Sequence, residues 1–203
     1  KNRPASSFLG DGLKQFRVHE IVPYVSQLRG LTTAYTPYQP ERSQGTLISL
    51  WIYASALKSL TGFEAINASF YERSTCLSEA LNTALRIKRR SSKVIVSGAQ
   101  YPGDLEVIQT LAKGTKLQIE IAPTVTETGL TDVEWIRERA QTLGRDLAAV
   151  AFPQVNSLGL LEDVHDLTDL CWEYNLQSIA MIDPLLLAGA DGLLPPAEFG
   201  SKK

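Results

Sequence analysis

The chain has 203 residues, 44% hydrophobic and 21% charged, the balance of a globular protein with room for one well-buried core. No apolar run approaches the roughly eighteen residues of a membrane helix, and no membrane association is expected. The net charge of −2 hides an asymmetry: residues 1–100 carry 13 Lys and Arg against 6 Asp and Glu, and residues 101–203 carry 7 against 16.

The chain opens on Lys1 rather than methionine and has no secretory apolar region, so it reads as a processed product. Residues 1–45 predict an N-terminal arm of two short helices and a Pro-rich loop, punctuated by Gly10, Gly12 and Gly30. The helical spacing of residues 21–28 is broken by Pro23. In Thr33–Gly45, Pro37 and Pro40 fix φ and push the residues before them toward extended geometry, which predicts a stiff, non-helical loop. The loop holds two tyrosines, two glutamines, a carboxylate and an arginine, more directional hydrogen-bonding groups than a segment that merely covers a core needs. A stiff polar loop loses little entropy on binding, which makes Tyr35, Tyr38, Gln39, Glu41, Ser43 and Gln44 candidates for a binding surface. The alternative is a connection that packs its tyrosines and solvates the rest.

From residue 46 the pattern alternates. Helix-like spacing over 46–60 stops at Gly62, a short buried segment follows at 65–69, and a helix over 74–87 opens on the hydroxyls of Ser74 and Thr75. The basic run from Arg86 to Lys93 suits either a helix C-terminus, with cations set against its dipole, or a nucleic-acid patch. No stacking aromatic or groove-reading element adjoins it, and no nucleic-acid partner is expected. Strands at 93–97, 117–122, 147–152 and 177–182 alternate with helices at 103–112 (stopped by Gly114), 132–143 (capped by Thr131) and 161–175. This predicts an α/β fold over 46–203, a mainly parallel sheet with flanking helices, its β-branched strands covered on both faces. Cys76 and Cys171 lie far apart, which predicts two buried thiols in a reducing compartment rather than a disulfide. His19 and His165 are isolated, no metal-ligand cluster is expected, and no glycine-rich nucleotide motif follows a strand.

Residues 33–47, TAYTPYQPERSQGTL, resemble the TAYTPYQPEISQGTLQ signature of the glycine decarboxylase P-protein, specifically its N-terminal half or separate alpha subunit. Phe8–Gly12 is similar to that family's FLGxG, Asn67–Tyr71 to its NAS-x-Y, and Ser74-Thr75 with Glu79-Ala80 to its A-T and E-A pairs. Asp183-Pro184 and the run from Leu194 to Gly200 echo its DP and KPPGEYG, so the resemblance covers nearly the whole chain. It implies the incomplete large domain of a fold-type-I pyridoxal-phosphate transferase, behind the N-terminal arm. The complete enzyme of that family decarboxylates glycine and passes the aminomethyl group to lipoyl-H-protein.

Pyridoxal phosphate needs a lysine for its Schiff base, a carboxylate facing the pyridine nitrogen, and amides or hydroxyls around its phosphate. Ser74 and Thr75, at a helix N-terminus, can hold an anion or simply cap the helix. The family has Asp-Gly where this chain has Glu72-Arg73. Asp183, at a strand end, can face a pyridine nitrogen or shape the turn before Pro184. Tyr101-Pro102 stands where the family has His-Pro, and tyrosine can stack but cannot do imidazole chemistry near neutral pH. No lysine follows a strand end in the family's order. The resemblance therefore implies an alpha-type chain: its loop residues join a site shared with a beta-type P-protein subunit, which holds the cofactor, in an oligomer of the cytoplasm or, in a eukaryote, the mitochondrial matrix. By resemblance Glu41 positions the substrate amine and the tyrosines bound the pocket; Arg42 stands where the family has isoleucine. The alternative is a degenerate, non-catalytic domain of the same fold with a structural or interaction role.

Overall fold

The computed structural model describes residues 18–188 and 191–200; the Phe8–Gly12 motif, Lys14 and Lys202 lie outside them. Among the described residues, six helices are α1 (Ile21–Val25), α2 (Gln44–Thr61), α3 (Arg73–Ile87), α4 (Pro102–Ala112), α5 (Val133–Leu143) and α6 (Val164–Glu173). Four strands are β1 (Lys93–Ser97), β2 (Gln118–Ala122), β3 (Leu147–Pro153) and β4 (Gln177–Met181). The chain divides into two compact units, one holding Phe70–Asp183 and Glu198 onward, the other running to Ser69 and including Pro184–Ala197.

In the first unit the four strands form one sheet in the order β2-β1-β3-β4, every pair parallel. Val94 pairs with Ile119 on one side and Ala149 on the other, and Ala149 pairs in turn with Gln177. The chain turns toward β2 after β1 but away from β1 after β3, so the strand order reverses between these two neighbours. That reversal marks the C-terminal strand ends between β1 and β3 as the place where open α/β sheets hold their ligands. The sequence explains the layers. Leu77, Leu81 and Ala84 recur at i, i+4 and i+7 along α3 and are buried with Ile108 of α4 against Val94, Val96, Ala149 and Ala151. Each such Leu, Val or Ile taken fully out of water stabilises the unit by about 1.5–3 kcal/mol. Helix α6 packs on β3 and β4 and turns Leu167, Leu170 and Cys171 inward.

The expected parallel α/β architecture is present, with differences at particular residues. Coverage on both faces holds for β3, buried throughout, and for β1 beyond Lys93; the outer strands β2 and β4 are mostly half-buried because each lacks a neighbour on one side. Residues 65–69 form no regular element and are exposed apart from a half-buried Ile66. Their five residues include Asn67 and Ser69 and lack a strand partner to satisfy a buried backbone. Helix α5 is capped by Asp132, whose carboxylate accepts from the Trp135 N–H at 2.9 Å, and not by Thr131. Helix α6 begins only after Asp163, which accepts from the Asp166 N–H. Cys171 is buried, with its thiol pushed up to about 12 by burial, whereas Cys76 is only half-buried.

In the second unit, Pro23 sits in the first turn of α1, where its missing N–H has no intrahelical role. Helix α2 ends at Gly62 in the left-handed region at φ 74°, and a Cβ there would also lie 2.9 Å from Ala197 Cβ. The helix packs on the turn Pro184–Leu187, and Gly45 and Thr61 are its buried residues. Ile48, Trp51, Ile52 and Tyr53 are exposed, Trp51 at 75%.

Candidate functional site

The Pro-rich loop is non-helical from Thr32 to Ser43, as its prolines predict. Its shape is set by Ser43, which is fully buried. The Ser43 hydroxyl donates to the carbonyls of Thr36 (3.2 Å) and Gln39, and the Ser43 N–H donates to the Pro40 carbonyl at 3.3 Å. A serine preceding a helix normally turns its hydroxyl to the helix N–H groups; here it folds the preceding loop instead. Thr33 accepts from the Thr46 N–H at 3.4 Å and ties the loop's start to the first turn of α2. Gly45 completes the fixture: a Cβ there would stand 1.8 Å from the Gly30 carbonyl oxygen, so the two backbones touch only because the residue is glycine.

This fixed loop leaves its aromatic groups outside. Tyr35 is 103% and Tyr38 86% exposed. Together with Thr33, Ala34, Thr36, Gln39 and Arg42 they line an open cleft of about 650 Å³. Of the six loop residues singled out in the sequence, Tyr35, Tyr38 and Gln39 therefore share a cleft. Glu41 and Gln44 are exposed beside it, and Ser43 lies beneath as the loop's internal clamp. Arg42, noted above only as a departure from a family pattern, is part of the lining.

A second cluster stands in the first unit, at the C-terminal side of β1. The N-cap of α3 is Glu72: one carboxylate oxygen accepts from the Ser74 N–H at 2.6 Å and the other from the Thr75 N–H at 2.7 Å. The Ser74 hydroxyl donates to buried Asp104 at 2.6 Å, and the Thr75 hydroxyl to the Glu72 carbonyl at 3.0 Å. Thus neither hydroxyl caps the helix: that of Ser74 is buried on Asp104, and that of Thr75, in an exposed hydrogen bond, turns back to the Glu72 carbonyl. Burial raises the Glu72 carboxyl, and the hydrogen bonds from Ser74 and Thr75 together outweigh it, so its pKa falls below the ordinary 4.5. Arg73 bonds through Nε to Asp104 at 2.6 Å and lies over the Tyr101 ring, 4.3 Å from its centroid. Ser74, Thr75 and Tyr101 are thereby brought together. Asp183 follows β4, which β3 separates from β1 in the sheet. It enters the turn that begins at Pro184, and it has interactions of its own.

Between these ends runs a buried polar network that the sequence reading missed. Glu162 accepts from the Thr131 N–H at 3.0 Å and from the Asn156 amide at 2.9 Å. Asn156, 1% exposed, also receives the N–H groups of Leu158 and Leu160 and donates to the Gly129 carbonyl. The Thr131 and Ser97 hydroxyls meet at 2.6 Å. Four separate segments contribute, which is why no local motif announces it; the sole local signal is Glu162 beside the helix cap Asp163. Among the described residues, no group of three or more His, Cys, Asp or Glu could hold a metal ion, and no helix is long and apolar enough to cross a membrane.

The glycine cleavage system P-protein family matches residues 1–202 of this chain. The chain belongs to that family. A relative described as probable glycine dehydrogenase (decarboxylating) subunit 1, from Legionella pneumophila (strain Lens), is 34% identical over 202 residues. That alignment takes in 98% of this chain and 43% of the relative, so the chain spans less than half the length of the curated relatives it matches. The crystal structure of a glycine decarboxylase (P-protein) of the glycine cleavage system, in inhibitor-bound form, superposes with a TM-score of 0.81 at 30% identity, over 94% of this chain and 41% of that one. Mouse CSAD superposes with a TM-score of 0.59 at 14% identity, over 77% of this chain and 36% of that one, a likeness of fold alone. The fold is thus that of the fold-type-I pyridoxal-phosphate enzymes, and the P-protein family membership agrees with the loop signature at residues 33–47.

Proposed function

We propose that this chain is an alpha-type P-protein piece that contributes one half of a glycine decarboxylase site, the cofactor being carried by a beta-type subunit. The observation that carries the reading is the loop: Ser43 and Gly45 hold it rigid while Tyr35, Tyr38, Gln39 and Arg42 stay open around a cleft. A rigid open cleft of polar groups suits capture of a small zwitterion completed by a second surface. Tyr35 and Tyr38 hydroxyls and the Arg42 guanidinium offer donors to a carboxylate, and Glu41 offers an acceptor to an ammonium group. The exposed Trp51 and Ile52 of α2 support a subunit contact in an oligomer, since large apolar groups gathered on one surface favour a covering partner. Lipoyl-H-protein is the proposed acceptor of the aminomethyl group, and the cytoplasm, or a mitochondrial matrix, the compartment.

Pyridoxal phosphate supplies, when bound, the electron sink for decarboxylation. The residues of this chain do not fit it: the α3 N–H groups that would hold a phosphate already bond Glu72, and Arg73 covers a face of Tyr101. The cofactor is therefore assigned to the partner, and no chemical step is drawn through it here. The test is borohydride reduction after incubation with pyridoxal phosphate. Label is expected at one lysine of the beta-type subunit and none on this chain; a stable adduct at a single lysine here would overturn the assignment.

A further inference from the structure

Helix N-termini are seats for anions because their first N–H groups lack intrahelical partners. At α3 those groups have an occupant from the chain itself. Both Glu72 carboxylate oxygens are engaged, one on the Ser74 N–H at 2.6 Å and one on the Thr75 N–H at 2.7 Å. The two hydroxyls that would complete a phosphate cradle are also committed, Ser74 to Asp104 and Thr75 to the Glu72 carbonyl. The cation that could offset a phosphate, Arg73, is paired with buried Asp104 and lies over Tyr101, 4.3 Å from the ring centroid. An incoming phosphate would meet two carboxylates, with no free N–H pair between them.

We infer that Glu72 is an internal anion that closes the α3 seat to phosphate, and that Arg73, held by Asp104, closes the adjoining face of Tyr101 to a flat ring. The pair, two exposed side chains, covers the C-terminal side of β1, where a sheet of this topology would otherwise take a ligand. The inference rests on the geometry of α3 and α4; it stands whether or not glycine exchange is ever reconstituted, so its failure and the failure of the proposed function are separable.

The experiment is a two-dimensional amide NMR titration of the whole chain with inorganic phosphate, then with pyridoxal phosphate, following Ser74 and Thr75. Wild type should show no saturable shift at millimolar phosphate. Glu72→Ser keeps a hydroxyl cap and shortens the side chain; it should bind phosphate with shifts centred on Ser74 and Thr75, at least about tenfold more tightly than wild type, as loss of a carboxylate at a helix N-terminus predicts. Glu72→Asp retains a carboxylate cap and should stay closed. Adding Arg73→Ala to Glu72→Ser should strengthen binding of pyridoxal phosphate and leave inorganic phosphate unchanged or weaker. Saturable binding at these amides in wild type, or a Glu72→Ser chain that stays folded and binds no more tightly, overturns the inference. The wild-type arm needs no variant, so a destabilised mutant does not rescue the idea.

Discussion

At Gly45 the chain has no room for even a methyl group, because the Gly30 carbonyl oxygen stands where the Cβ would go. Gly45→Ala should therefore shift one backbone away from the other and cost about 1–3 kcal/mol, the range for forcing extra atoms into a packed site, read by urea unfolding. A loss below measurement error would mean that the two segments are not held in contact in solution. Glu72 gives a pH signature. Its pKa is lower folded than unfolded, so its stabilisation is complete above 4.5 and disappears as pH falls through the lower folded value. Glu72→Ala should accordingly cost about 1 kcal/mol near neutrality, the usual worth of an N-cap, with the gap to wild type narrowing only below pH 4.5. The thiols provide a third reading at this scale. Cys171 should resist a thiol reagent until the chain unfolds. Cys76 is raised first by burial and then by the charge of Glu72, and it should label faster in Glu72→Ala than in wild type at mildly alkaline pH. Equal rates would place the Glu72 carboxylate elsewhere.

At the scale of elements, the Asn156–Glu162–Thr131 network fixes the segments that follow β2 and β3 at one end of the sheet. Asn156→Ala removes donors to Glu162 and Gly129 and the acceptor for two N–H groups, the Glu162 bond buried and the other three part-buried. A loss of about 3 kcal/mol is expected, because a buried carboxylate and two amides are left short of partners; calorimetry or urea unfolding would measure it. A loss under about 1 kcal/mol would show that water or relaxation satisfies these groups. The elements themselves were legible because local signals set them: the i, i+4, i+7 apolar spacing of α3, the β-branched run of β1, the Gly62 stop. The caps were not. Thr131 reads as a cap by residue type, yet Asp132 beside it does the capping, since Thr131 is drawn to Ser97 34 residues away. Ser74 was similarly diverted by Asp104, 30 residues on. A sequence names the groups that can hydrogen-bond; which partner wins depends on contacts made only after the sheet assembles. Residues 65–69 failed in the other sense, because apolar side chains without a strand neighbour gain nothing by burying their backbone.

For the whole molecule, the two candidate regions, one in each unit, have opposite states. The loop at residues 33–42 is clamped from below and open above, whereas at the N-terminus of α3 Glu72 holds two of the helix N–H groups and Arg73 lies over Tyr101. These two states are what the proposal rests on, that the chain completes another subunit's site rather than running its own. The loop signature made the family legible in the sequence; the bonding of Glu72 and Arg73 was not, because the pair reads as two ordinary surface charges until α4 brings Asp104 and Tyr101 beside them. The most direct measurement is glycine–bicarbonate exchange by this protein mixed with a beta-type P-protein subunit and lipoyl-H-protein, wild type against Tyr35→Ala/Tyr38→Ala. The account predicts exchange only in the mixture and a fall of about 100-fold in the double variant, the effect expected of losing substrate-positioning groups, with subunit association intact. Exchange that the double variant sustains at the wild-type rate would contradict it.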